Sequence, residues 1–167
     1  MVKYAERPTA SVEIDIAAPP SAVWPILSDI STPARFSDEF QRAEWIDDGP
    51  ALGATFRGYN KRSNPDMEWD VVCAVTACDE DRRFEWTIGA LDNKVARWGF
   101  DLAPNGDGST LRFTAEMGPG PSGLTPAIEA MPDKEEKIVA NRLAEWSANM
   151  ERTVAGIKEL AESGNSA

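Results

Sequence analysis

The residue types that most often carry enzyme chemistry are scarce in this chain. Its 167 residues include no histidine, so a serine or cysteine nucleophile would lack its usual base. Its two cysteines, Cys73 and Cys78, do not form a zinc site without histidine or further cysteines. No Walker loop is present, and the Gly118–Pro121 run lacks the strand-to-helix context of a dinucleotide-binding turn. These patterns predict neither a metal nor a cofactor, and they leave acid–base chemistry to carboxylates.

A few polar residues share predicted apolar faces and could bind a ligand. Asn60 is predicted on the same strand face as Phe56. Thr153 lies in the apolar stripe of the last helix, and Arg142 and Asn149 lie at the margin of that stripe. As parts of a pocket they would supply its hydrogen-bonding groups, because pockets are mostly apolar with few polar groups. As structural groups, Asn60 would hold a neighbouring loop and Thr153 would bond back to its own helix. Both interpretations stay open.

Aromatic residues crowd the same predicted interior. One interpretation is that they form a packed core. The other is that they line a partly open cavity, which is favoured because each buried tryptophan N–H needs a hydrogen-bond partner. Cys73, on that inner face, is interpreted as a small buried hydrophobe and not as a nucleophile. No catalytic residue is assigned. The predicted ligand-binding residues are Phe56, Asn60, Trp69, Trp86, Trp98, Phe113, Trp146, Met150 and Thr153.

Alternating hydrophobicity predicts a series of strands that position these side chains. Val12, Ile14 and Ile16 share one face of a first strand, and the later strands likewise carry charged residues, Glu85 among them, opposite an apolar face. Such a sheet is typically antiparallel, with one face in water. Asn105-Gly106 predicts a hairpin turn. The later strands are predicted at Gln41–Asp47, Gly53–Arg62, Met67–Ala77, Arg83–Ile88, Val95–Leu102 and from Leu111 to Met117.

The helices are predicted at three places. Ser21 is the expected N-cap of a helix that reaches Leu27, and residues 32–36 form a shorter helical turn. Residues 118–133 are irregular and hold a short helix near 124–131. Asp133 and Glu136 form a capping box for a final helix from about Lys134 to Glu162. Its apolar stripe consists of Val139, Leu143, Trp146, Met150, Ile157 and Leu160, with Thr153 inside it.

Composition limits the partners and the location. The length fits a single domain over residues 1–167, with an ordered core at about 9–162. A net charge of −11 argues against nucleic acid and anionic membranes, and no run is long and apolar enough to span a membrane. Cys73 and Cys78 are predicted on opposite strand faces about 16 Å apart, so both stay free thiols. Free thiols and the lack of a signal peptide indicate the cytoplasm.

Several segments in a fixed order match a known family: Ile16–Trp24, Leu52–Asn60, Arg83–Trp86, Trp98–Pro104, Gly108–Arg112 and Asn149–Lys158, with Ser28, Asp29 and Trp69. Through these segments the chain resembles the START-like helix-grip superfamily (SRPBCC), in its polyketide cyclase/dehydrase and lipid-transport branch. The resemblance implies an α+β fold, in which a seven-stranded curved antiparallel sheet wraps around a long C-terminal helix, with two short helices after the first strand. It also implies a hydrophobic cavity, and it transfers no catalytic residue. Residues 118–133 form a longer segment than the family usually has and could act as a lid over one mouth of the cavity.

These observations favour a binding protein for a small hydrophobic molecule, such as a lipid, a polyketide or an aromatic metabolite. The alternative is an enzyme, a polyketide cyclase or dehydratase that acts by holding a reactive chain in a folded shape. A third alternative is a protein-interaction module that uses the outer sheet face or the lid. The lack of histidine and of an inward carboxylate favours binding over catalysis. The expected partner is a small hydrophobic molecule, and a homodimer is possible.

Overall fold

The computed structural model describes residues 1–164 and confirms the predicted α+β helix-grip fold; residues 165–167 of the predicted domain lie outside the described residues. One antiparallel sheet has the strand order β1-β7-β6-β5-β4-β3-β2. Its strands are β1 (Thr9–Ile16), β2 (Phe40–Trp45), β3 (Thr55–Ser63), β4 (Asp66–Asp79), β5 (Arg83–Ile88), β6 (Ala96–Asn105) and β7 (Gly108–Met117). The helices are α1 (Pro20–Leu27), α2 (Thr125–Ala130) and α3 (Glu135–Gly164), with 3-10 turns at Tyr4–Glu6, Pro33–Arg35 and Pro132–Lys134.

Strict alternation of apolar residues produces the inner face of the sheet. In β7, Leu111, Phe113, Ala115 and Met117 are all buried, whereas the residues between them are partly or fully exposed. The β6–β7 hairpin forms where the sequence predicts it, because Asn105 pairs with Gly108 across a two-residue loop. The core therefore lies on one side of the sheet, as the pattern predicts.

Helix α3 covers this inner face unevenly. Its C-terminal half buries Val154, Ile157 and Ala161, and its closest packing is against β1 and α1. Gly156 allows a close approach there, since a Cβ atom at that position would lie 2.3 Å from the Phe36 ring. Beyond this tightly packed end a cavity remains beneath the middle of α3, where residues 142–153 of the helix contribute to its lining.

Two predicted helix starts are wrong by one or two residues. Helix α1 begins at Pro20, so Ser21 lies inside the helix and is not its N-cap. Proline is favoured at the first helical position because its fixed φ suits the helix and its missing N–H has no partner there. Asp133 likewise lies inside a 3-10 turn that begins at Pro132 and runs directly into α3. Proline thus moves both helix starts.

The two cysteines lie on the same face of the sheet, and not on opposite faces as predicted. A register shift between Val75 and Ala77 places one extra residue in β4 opposite β5. Past this bulge the alternation reverses, so Cys78 pairs with the inward Phe84 and packs against the core. Both thiols are free, as predicted.

Glu85 lies on the outer face of the sheet but is buried, at 8% exposure, and is not solvated as the alternation predicts. Its carboxylate accepts hydrogen bonds from Thr76 Oγ1 at 2.8 Å, Arg97 Nη1 at 2.8 Å and Arg83 Nη2 at 2.5 Å. Burial alone would raise the pKa of Glu85. The hydrogen bonds from Arg83 and Thr76 and the charges of Arg83 and Arg97 outweigh burial and lower it. The outer face therefore holds a local charged cluster.

Candidate functional site

A cavity of about 620 Å³ lies between α3 and the inner face of the sheet. Strands β3 to β7 and residues 142–153 of α3 form most of its walls. Residues of the 27–40 and 121–124 segments complete the lining, with Tyr4. All nine predicted ligand-binding residues contribute to this lining: Phe56, Asn60, Trp69, Trp86, Trp98, Phe113, Trp146, Met150 and Thr153.

Aromatic rings form one continuous wall of the cavity. Trp86 lies centrally, with its ring centroid 6.2 Å from that of Phe56 and 6.3 Å from that of Phe113. Trp98 lies 5.7 Å from Phe113 and 4.6 Å from Trp146 on α3. The tryptophans are only partly buried and face the cavity. The two interpretations left open by the sequence therefore apply to different residues, since Phe100 is fully buried and lies outside the lining.

Asn60 is a polar residue of this wall whose side chain has no hydrogen-bond partner among the described residues. It lies on β3 between Phe40 of β2 and Trp69 of β4. Asn60 is half-buried, and its side chain forms no hydrogen bond with any residue within 1–164. The loop-holding role that the sequence left open is therefore not seen. Its amide can both donate and accept a hydrogen bond in the cavity.

Two other polar lining residues already take part in structural hydrogen bonds. Thr153 is buried, and its hydroxyl donates to the Asn149 carbonyl oxygen at 2.8 Å, as the structural interpretation predicts. The Asn149 side chain accepts from the Asp38 N–H at 3.1 Å and from Arg152. The bond from Asp38 connects α3 to the segment before β2, whereas the Thr153 bond lies within α3. Both side chains therefore have structural roles.

An ion-pair cluster at the cavity includes a carboxylate that the sequence did not assign. Arg142 donates to both oxygens of Glu39, from Nη2 to Oε1 at 2.6 Å and from Nη1 to Oε2 at 2.7 Å. It also donates to Glu145 Oε2 at 2.7 Å, and Glu145 Oε1 accepts from Arg62 Nη2 at 2.8 Å. The expectation that no carboxylate reaches the interior is wrong, because Glu39 and Asp29 both line the cavity. Glu39 and its partner Arg142 are 103 positions apart, so only tertiary packing brings them together.

The guanidinium of Arg142 keeps its charge in this half-buried position. Burial by itself would lower the pKa of Arg142. The hydrogen bonds and the charge of Glu39, and then those of Glu145, outweigh burial and raise that pKa above its ordinary value. The sequence placed Arg142 only at the margin of the helix stripe, and no periodic pattern around Glu39 indicated its partner. Only the fold pairs the two.

Tyr4 lines the cavity although the predicted ordered core begins later in the chain. Its hydroxyl donates to the Gly120 carbonyl oxygen at 2.7 Å, and its N–H donates to Glu135 Oε1 at 3.0 Å. Its ring covers Gly118, where φ is +68° and a Cβ atom would lie 3.0 Å from the ring. The N-terminal turn therefore fastens the 118–124 segment and the start of α3 as one wall of the cavity.

Within residues 1–164, no group of three or more histidine, cysteine, aspartate or glutamate side chains is placed to hold a metal ion. None of the described helices has the length and the apolar character needed to cross a membrane.

The fold and the cavity define a helix-grip domain with a space between its sheet and its long helix. The sequence profile of the family described as "Polyketide cyclase / dehydrase and lipid transport" matches residues 7–162, and the chain belongs to this family. The resemblance seen in the sequence is therefore confirmed. Among curated protein sequences, none matches this chain significantly.

Solved structures show the same fold. A polyketide-cyclase-like protein from Corynebacterium glutamicum is 27% identical, with a TM-score of 0.65 over 95% of this chain and 93% of that one. The di-domain ARO/CYC protein BexL, from the BE-7585A biosynthetic pathway, is 13% identical, with a TM-score of 0.71 over 92% of this chain and 50% of its own. The di-domain ARO/CYC protein StfQ, from the steffimycin biosynthetic pathway, is 12% identical, with a TM-score of 0.72 over 95% of this chain and 52% of its own.

Proposed function

We propose that this protein binds a small, mainly apolar molecule that carries a polar group, such as a lipid, a polyketide or an aromatic metabolite. The observation that carries the proposal is the aromatic-lined cavity of about 620 Å³, with the unpartnered amide of Asn60 on its wall. Ligand sites typically measure about 300–1,000 Å³ and are mostly apolar with a few polar groups. Cys73 and Cys78 are unpaired, which supports the cytoplasmic location that the sequence predicts.

The shape of the wall favours flat or flexible ligands. Trp86, Trp98 and Phe113 have tilted rings with apolar faces. An aromatic ring or an acyl chain of a ligand can bury its apolar surface against these faces. Asn60 would then pair with the ligand's polar group, because burying that group without a hydrogen bond is costly. The aromatic wall and the Asn60 amide together favour an amphipathic ligand over a plain hydrocarbon.

A thermal-shift screen of lipids, polyketides and aromatic compounds tests this function. A ligand that binds only the folded state, at 100 times its dissociation constant, stabilises the protein by about 2.7 kcal/mol. For a domain of this size that corresponds to roughly 5–10 °C in Tm. We expect such shifts, together with quenching of tryptophan fluorescence, because four tryptophans line the cavity. A broad screen without shifts, and no retained molecule in native mass spectrometry of fresh protein, would contradict the proposal.

A second candidate function is polyketide cyclisation in the same cavity. The family and the carboxylates of Asp29 and Glu39 in the lining favour it. The cavity would hold a poly-ketone so that an enol carbon attacks a carbonyl carbon, and dehydration would then release water. Mass spectrometry after incubation with a linear poly-ketone distinguishes the functions. Binding alone returns the compound unchanged, whereas cyclisation with dehydration returns a product lighter by one water.

A further inference from the structure

The charged residues that line the cavity are two carboxylates and two arginines, Asp29, Glu39, Arg62 and Arg142. Fatty acids and other anionic ligands need a cation or free N–H donors at their polar end. Whether the cavity can accept such ligands therefore depends on whether either arginine is available to them. The ion pairs of the site answer this question.

Both arginines already have carboxylate partners. Arg142 holds Glu39 through two parallel hydrogen bonds of 2.6 and 2.7 Å, and their side chains are only 15% and 18% exposed. Arg142 also pairs with Glu145, which in turn pairs with Arg62 at 2.8 Å. Two arginines thus share two glutamates, so these four side chains carry no net charge. Within residues 1–164, each guanidinium that lines the cavity is therefore already paired with a carboxylate.

Asp29 adds a negative charge that these pairs do not balance. The Ser31 N–H donates to its Oδ1 at 2.9 Å, and within residues 1–164 no cation lies within ion-pair distance of it. The residue is exposed, so its charge acts at the edge of the cavity, where water screens it partly. With their partner Glu145 included, the charged residues of the lining therefore carry one net negative charge.

We propose that the cavity selects ligands whose polar end is uncharged or cationic, such as an alcohol, a ketone or an amine, and that it discriminates against carboxylates. This inference rests on the proposed binding function. A ligand carboxylate could accept a hydrogen bond from the neutral Asn60 amide, but it would either lack a cation of its own or displace a glutamate from its arginine. Each arrangement leaves one partly buried carboxylate without a cation, which is costly. A hydroxyl or carbonyl group instead pairs with the Asn60 amide and leaves the ion pairs intact.

Three probes of nearly equal size test the inference: naphthoate, naphthylmethanol and naphthylmethylammonium, each substituted at the same ring position. Isothermal titration at neutral pH gives the Kd of each for the whole protein. We expect the alcohol and the ammonium to bind, and the carboxylate to bind on the order of tenfold to a hundredfold more weakly. A carboxylate that binds as tightly as the alcohol would overturn the inference while the binding function stands. Failure of all three probes would overturn both.

A matched pair of variants tests the role of Glu39. Glu39→Gln removes the carboxylate that occupies Arg142, so we expect the ratio of carboxylate to alcohol affinity to rise about tenfold or more. Glu13→Gln is the control, because Glu13 also pairs with an arginine, Arg112 at 2.8 Å, but lies on the outer sheet face. Both variants remove one negative charge from the protein. If the ratio of carboxylate to alcohol affinity is the same in the two variants, Glu39 does not set the selectivity. If Glu39→Gln does not fold, the ranking of the three probes on the wild-type protein decides the inference.

Discussion

The indole of Trp146 on α3 lies 4.6 Å, centroid to centroid, from the indole of Trp98 on β6, with the ring planes 46° apart. This pair spans the gap between helix and sheet on one wall of the cavity. Further along α3 the same gap is closed by Ile157, which is fully buried. The middle of the helix therefore borders the cavity, whereas its C-terminal part packs into the core.

Substitutions in the two halves of α3 should separate binding from stability. Ile157→Ala should lower the free energy of unfolding by about 2–5 kcal/mol, because it leaves a void in a packed core. Trp146→Ala should cost less than the roughly 3–5 kcal/mol usual for a core tryptophan, because its ring already borders an open space. It should nevertheless weaken ligand binding strongly. Urea unfolding and ligand titration measure the two effects. Equal destabilisation by both changes would place Trp146 in the core.

Two asparagines of the cavity should behave oppositely. Asn60→Ala should leave the unfolding free energy nearly unchanged, because its side chain has no partner within residues 1–164, but weaken binding by about 1–3 kcal/mol. Asn149→Ala is the control and should destabilise the free protein by about 0.5–1.5 kcal/mol per lost hydrogen bond, since its oxygen accepts from Asp38 N–H. A destabilised Asn60→Ala protein with unchanged affinity would assign Asn60 a structural role.

The thiol of Cys73 should make stability fall at alkaline pH. Burial raises its pKa from 9.0 to about 12. Between these values the unfolded chain has lost the proton that the folded chain keeps, so the unfolding free energy falls by up to about 1.4 kcal/mol per pH unit. Cys73→Ala should reduce this slope when wild type and variant are compared by urea unfolding from about pH 8 to about pH 11. Tyrosine and lysine titrations are common to both proteins and cancel. Identical slopes would contradict a buried, protonated thiol.

The bond between Tyr4 and Gly120 should hold the 118–124 wall. Tyr4→Phe removes this 2.7 Å hydrogen bond while it keeps the ring over Gly118. We expect amide hydrogen exchange of residues 118–124 to speed up roughly two- to tenfold, because one such bond contributes about 0.5–1.5 kcal/mol. Tyr59→Phe is the control, since the Tyr59 hydroxyl bonds Glu44 on the β2–β3 hairpin. If exchange is equally fast in both variants, the N-terminal turn does not fasten this wall.

The strand and helix pattern could be predicted because burial on one face repeats at a fixed period. Leu111, Phe113, Ala115 and Met117 alternate in sequence and lie on one face in the structure. This local rule failed at Cys78, because a bulge in β4 added one residue and reversed the alternation. A bulge depends on the register between two strands, and one strand's own sequence carries little signal for it.

By itself, the sequence determined the series of strands closed by one long helix, the inward aromatic residues and the absence of histidine chemistry. Each of these follows from local periodicity or from composition, whereas the helix-grip arrangement was implied by the family resemblance. Only the tertiary structure decided that Glu39 reaches Arg142, that Tyr4 bonds Gly120, and that a space remains beneath the middle of α3. These contacts join residues roughly a hundred positions apart. Their geometry depends on how far the helix lies from the sheet, which packing around Gly156 and Ile157 sets at the other end.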